Sequence, residues 1–140
     1  MRLHGPQSRF ELSLVGRADS EGWCEIRVMV DDPADHWLAT SRCLLSQEVL
    51  ELADWFEAAA AGPALRGRFK VSTTDNMINF ELIGDESRQL RIYLEWELRP
   101  LKRRELPVDE FYRDYPATAK VLNRAAASLR EELSRKPKQR

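Results

Sequence analysis

Apolar and polar positions alternate with a period of two along much of this chain. In Ser8 to Val15, Phe10, Leu12 and Leu14 share one face, and Arg9, Glu11 and Ser13 share the other. Such alternation predicts a half-buried β-strand. A polar turn from Gly16 to Gly22 leads to a second strand, Trp23 to Val30. Here Cys24, Ile26, Val28 and Val30 point inward, and Trp23, Glu25, Arg27 and Met29 point outward. Asp31-Asp32-Pro33 breaks it, because proline lacks a ladder donor. A third strand runs from His36 to about Leu44. Trp37, Leu38, Leu44 and Leu45 do not share one parity, so a bulge or an early exit is expected there.

The period then changes to that of a helix. Ser46 is a good N-cap, and Glu48 suits the positive end of the helix dipole. Leu45, Val49, Leu52, Ala53, Phe56 and Ala60 make one stripe, with Trp55 beside it. Gly62-Pro63 supplies the stop. A fourth strand is expected from Arg68 to Thr73. A long hairpin follows, its arms joined by Gly84-Asp85-Glu86-Ser87. Its first arm places Ile78, Phe80 and Leu82 inward. Its second places Leu90, Ile92, Leu94, Trp96 and Leu98 inward and Arg91, Tyr93, Glu95, Glu97 and Arg99 outward.

Pro100 ends that arm, and Leu101 to Pro107 is a charged connector. A helical turn from Val108 to Arg113 precedes Pro116, which fits the first position of a final helix, with Asp114 as the better cap. Tyr115, Ala119, Leu122, Ala126, Leu129 and Leu133 form its seam. The order is βββ-α-βββ-α. Short links between strands imply antiparallel pairing. The expected fold is α+β, with a six-stranded antiparallel curved sheet or half-open barrel and a long C-terminal helix. Residues 1–136 form a single domain, and 137–140 a flexible basic tail.

Composition narrows the function classes. The chain has 140 residues, 43% of them hydrophobic, which suits one globular domain. Its 22 Lys and Arg balance 23 Asp and Glu, so no global attraction to nucleic acid or membrane is implied. Lys102-Arg103-Arg104 and the run from Arg135 to Arg140 are local basic clusters, read as solvated termini. Cys24 and Cys43 lack metal or redox spacing and read as buried free thiols, with a pairing between neighbouring strands left open. Met1 to Gln7 carries no signal-peptide pattern, and no window is apolar enough to span a membrane, so a cytoplasmic location is the expectation.

No catalytic or metal constellation is apparent, and no cofactor is called for. The imidazoles are His4, in a terminus expected to fray, and His36, beside the acidic loop Asp31, Asp32 and Asp35. That loop lacks the glycine and spacing of a calcium site and reads as turn chemistry. No glycine cluster precedes a helix to cradle phosphate. Glu81, Glu95 and Glu97 read as carboxylates on a solvated strand face rather than an acid–base pair. Tyr93, set among charges, reads as an interface anchor.

Trp37-Leu38-Ala39-Thr40-Ser41-Arg42-Cys43-Leu44-Leu45-Ser46, running into Val49 to Phe56, resembles the middle of the WapI-type immunity proteins. There a tryptophan strand leads through a polar cap into a helix. Val71 to Leu82, with Phe80-Glu81, is similar to that family's next hairpin, and Leu90 to Pro100 to its following strand. Asp75-Asn76 stands where the family often has Glu-Pro. The resemblance spans Phe10 to Pro100. It implies a bacterial protein of a polymorphic toxin system that binds and neutralises a cognate toxin without chemistry of its own. The expected partner-binding patch is Tyr93, Glu95, Glu97, Glu81 and Arg91. Two other readings stay open. One is an enzyme or small-ligand carrier with its site at the sheet mouth. The other is a homo-oligomeric module using the last helix.

Overall fold

Eight strands pair into two antiparallel sheets of four, in orders β1-β2-β3-β4 and β5-β6-β7-β8. The computed structural model describes residues 1–62, 70–84 and 88–135. The first sheet holds β1 (Arg2–His4), β2 (Arg9–Val15), β3 (Trp23–Asp31) and β4 (His36–Leu45). Helix α1 (Ser46–Ala61) follows. The second sheet holds β5 (Lys70–Ser72), β6 (Ile78–Ile83), β7 (Gln89–Leu94) and β8 (Tyr112–Pro116), and α2 (Ala119–Ser134) closes the chain. The single six-stranded sheet and the half-open barrel are therefore corrected. The strands divide four and four on either side of α1.

Each half gained a strand the alternation did not announce. β1 has three residues, too few to display a period, yet Leu3 is buried and pairs with Phe10. The terminus around His4 is thus a paired edge. β8 ends on Pro116, where the sequence pattern predicts the start of a helix instead. Proline is tolerated on an edge strand, and β8 is an edge. The final helix starts at Ala119, capped by Thr118, whose hydroxyl accepts from the Val121 N–H at 3.2 Å.

The expected bulge is present. The β3–β4 register shifts between Cys24 and Glu25, so Glu25 faces Arg42 and Cys24 faces Leu44. The extra residue is Cys43, which lets both Cys43 and Leu44 turn inward. Both cysteines are buried and free. Burial pushes the Cys43 thiol up to about 12.

α1 follows its stripe, with two changes. Leu45 is the N-cap, and Glu48 reaches back to accept from its N–H at 3.0 Å. Trp55, read beside the stripe, is buried, as is Ala59, because α2 packs along that side. Phe56 stands edge-on to Phe80 with ring centroids 5.9 Å apart, tying α1 to the second sheet. Phe10 and Tyr115 join the two sheets, and their inner faces share one core with both helices. The buried stripe of α2 is Leu122, Ala125, Ala126 and Leu129. That stripe packs within the chain, with α1 alongside it. Among the described residues, no helix is long and apolar enough to cross a membrane. The hairpin residues 85–87, Arg68 and Phe69 of the fourth strand, and the tail 137–140 lie outside the described residues.

Candidate partner-binding surface

β7 stops at Leu94, five residues before the expected strand end at Arg99. Trp96 takes a left-handed backbone, φ 49°, and Trp96–Leu98 forms a 3-10 turn. Alternation beyond Leu94 is therefore broken. Trp96, expected in the core, is 61% exposed, and Glu95, expected outside, is 1% exposed. This corrects Glu95 as a member of an exposed patch.

The reason is a buried ion pair. Arg99, also almost fully buried, donates to the Glu95 Oε2 at 2.9 Å. Its other hydrogens reach the carbonyls of Leu94 at 2.7 Å, Arg103 at 3.1 Å, Pro107 at 3.0 Å and Leu106. Glu95 Oε1 accepts from the Asp109 N–H at 3.2 Å. A buried charge persists only when paired and hydrogen-bonded, and here each group is. The planar guanidinium fork suits the task, since one side chain collects carbonyls from both ends of the excursion between β7 and β8. Trp37 adds an outer tie, donating its indole N–H to the Leu98 carbonyl at 2.9 Å. Ser41 donates to Glu97 at 2.6 Å.

The outer face of the second sheet holds the remaining expected residues. Register sets Glu81, Arg91 and Asp114 in one row across β6, β7 and β8, and Asn79, Tyr93 and Tyr112 in the next. Arg91 grips Asp114 through two bonds, at 2.8 and 3.0 Å. Its guanidinium lies 3.9 Å from the Tyr112 ring centroid. Tyr93 donates its hydroxyl to Glu81 at 2.5 Å. Tyr93 is only 7% exposed, because the Tyr112 ring packs edge-on against it. Burial first, then the bond to Glu81, raises its phenol above the ordinary value. The structure thus brings Glu81, Arg91 and Tyr93 together, buries Glu95 beneath the loop, and sets Glu97 against β4.

A second surface was not anticipated as a unit. His36 to Thr40 of β4 and Glu97 to Arg104 of the loop line a groove of about 680 Å³. Leu38 and Leu101 line it and are 61% and 78% exposed. Lys102 and Arg104 line it too. The failed parity of Leu38 in β4 was one readable signal. Leu101 inside a run of charges was another.

Arg113 fixes the groove's foundation. It faces inward from β8 and reaches Asp32 at 2.6 Å and Asp35 at 3.2 Å. It also stacks near Phe111 and Trp37, at 4.8 and 5.5 Å from their centroids. Asp32 further accepts from the N–H groups of Ala34 and Asp35. Burial works to raise the Asp32 carboxyl, but the bonds from Arg113 and the Asp35 N–H outweigh it and hold the group below its ordinary value. The acidic loop is thus a turn clamped by an arginine. Among the described residues, no group of three or more His, Cys, Asp or Glu could hold a metal ion.

The model of the immunity protein WapI-like family matches residues 2–137, and the chain belongs to that family. The match includes α2, beyond the Phe10 to Pro100 span that the sequence resemblance covered. No curated protein and no solved structure matches this chain.

Proposed function

We propose that this protein neutralises a cognate toxin by binding it directly and in equal number, inside the cell that makes both. Family membership supports an immunity role. The observation that carries direct binding is the excursion between β7 and β8. It sets Trp96, Leu101, Leu106 and Val108 in water on a backbone pinned from beneath by Arg99. Long loops in compact domains are commonly functional, and a preorganised one loses less entropy on binding. Exposed aromatic and aliphatic side chains on a rigid base are what an interface centre needs. Glu97, one of the residues expected to meet a partner, belongs to this excursion. Two buried, free thiols also suit a reducing compartment.

Titration separates binding from chemistry. The toxin domain encoded beside this gene is mixed with rising amounts of the purified protein, and residual toxin activity is measured. Stoichiometric binding predicts that inhibition completes at one equivalent, with a stable complex on size-exclusion chromatography. Complete inhibition by a small fraction of an equivalent would instead indicate turnover. Absence of any complex would end the binding reading.

A further inference from the structure

Four strands stand at sheet edges, and they are guarded unequally. β1 and β5 have three residues each. β8 has five, carries Arg113 and Asp114, and ends on Pro116. Short strands, charges and prolines are what keep an edge from pairing with another chain. β4 has ten residues, no proline, and no charged side chain from Trp37 to Ser41. The Asp32 N–H donates to the Asp35 carbonyl at 2.9 Å, one step outside the Asp31–His36 pair. His36 therefore takes a ladder position that exchanges no bond with β3. Register is unbroken from there to Arg42, so Leu38, Thr40 and Arg42 take positions of the same kind. Their N–H and C=O groups point away from β3, and among the described residues no group bonds to them. The excursion does not cap them. Its ties to β4 run to the Trp37 indole and the Ser41 hydroxyl, side chains of the alternate, inner face.

We infer that the outer edge of β4, over residues 36–42, pairs with an extended strand of the toxin and so gains the first sheet a fifth strand. This rests on the direct-binding reading and adds the place and the chemistry of contact. The open row spans roughly 20 Å at the rise of a β-strand. Another polypeptide backbone supplies donors and acceptors at that repeat, so the edge selects an extended segment whatever its charge. Leu38, 61% exposed, and Thr40 stand on the outer face of the same strand and favour an apolar or β-branched residue opposite them. The groove beside the edge has a second wall, residues 97–104, so it receives a single strand. The β4 of a second copy would arrive with β3 already bonded along its far side.

The test follows amide hydrogen exchange, residue by residue, in the full-length protein alone and with the toxin domain encoded beside its gene. In the free protein the amides of Leu38, Thr40 and Arg42 should exchange fast, while those of Ala39 and Ser41, bonded to β3, exchange slowly. In the complex the three fast amides should slow by about a hundredfold or more, as new ladder bonds form. Calorimetry on variants supplies a second readout. Thr40→Pro removes an outward N–H that the free protein does not use and sets a ring against an incoming strand. It should weaken binding by about thirtyfold or more. Thr40→Ala should bind as the parent does, and Leu38→Ala should lose about fivefold at most, since the main chain carries the contact. If Thr40→Pro does not fold, the exchange rates decide. A complex in which the three amides stay fast would overturn the inference while leaving direct binding intact. So would slow exchange at these amides in a free protein that light scattering shows to be a dimer, because the edge would then belong to a second copy. If the parent forms no complex, direct binding fails first, and the inference falls with it.

Discussion

Two surfaces of this protein carry the same ingredients of tyrosine or tryptophan, arginine and glutamate, and they use them in opposite directions. On the outer face of the second sheet, the polar groups meet one another: Arg91 with Asp114, and Tyr93 with Glu81. A partner landing there would have to displace contacts already made. In the excursion between β7 and β8, Arg99 and Glu95 turn inward and satisfy the backbone. That leaves Trp96 and Leu101 facing water. Exposed hydrophobes grouped on a fixed frame mark an interaction site better than a row of charges does. The difference lies in where hydrogen-bonding capacity is spent, and composition does not record it.

The sharpest way to break the comparison is to remove Arg99. Arg99→Ala leaves the Glu95 carboxylate buried without its cation and strips the carbonyls of Leu94, Arg103, Leu106 and Pro107 of a donor. Breaking one side of a buried pair costs about 3–5 kcal/mol. The urea midpoint should fall accordingly, and amide exchange should speed most across the excursion. An unchanged midpoint would mean that the loop is held by something other than this arginine. Arg99→Lys is expected to recover only part of the loss, since a point charge cannot span four carbonyls and a carboxylate.

How much of this could be read from the chain follows from the length of each signal. β2, β3 and β6 show several alternations each, and α1 shows a full stripe, so they were legible. The β3–β4 bulge was legible as a failure of parity. β1 was too short to register, and β8 was masked by a proline that suits a helix start as well as an edge strand. Leu90 to Arg99 misled for a different reason. Glu95 and Arg99 at odd positions look the same whether they face water or pair beneath a loop. Only the turn at Trp96 decides, and a left-handed tryptophan has no sequence signature. The expected site inherited that error. Glu81, Arg91 and Tyr93 do cluster, because β6 and β7 pair as read. Leu38 and Leu101 are far apart in sequence and line one groove only because the excursion folds onto β4.

A smaller change tests the outer face. Tyr93→Phe removes one hydroxyl and its bond to Glu81, which should cost about 1 kcal/mol of stability. Toxin binding should not move. The pH dependence has a definite sign. Folding raises the Tyr93 phenol above its ordinary value, so the protonated form is favoured in the folded state. That contribution is complete below about pH 10, the unfolded value, and is lost as pH rises through the folded one. The parent should therefore lose stability on the alkaline side more steeply than Tyr93→Phe. Parallel alkaline profiles would show that the Tyr93–Glu81 contact contributes little to the fold.

The smallest effect is the most discriminating, because stability and binding should move in opposite directions. Trp96 holds φ at 49°, where an L-residue other than glycine, asparagine or aspartate pays about 1–2 kcal/mol. Its carbonyl accepts from the Arg99 N–H at 3.0 Å, so the turn is needed whatever side chain sits there. The indole is mostly in water and gives the monomer little in return. Asparagine tolerates the left-handed region and keeps the backbone bond. Trp96→Asn should raise the urea midpoint by an amount worth about 0.5–1 kcal/mol, part of the strain relieved. Toxin binding should weaken at the same time, since an exposed aromatic side chain has been removed from the excursion. A variant that gains stability and binds undiminished would show Trp96 to be a tolerated strain with no part in recognition. A variant that loses stability would mean the indole packs on the loop more than its exposure implies, and the contrast between a self-satisfied sheet face and an outward-facing loop would weaken with it.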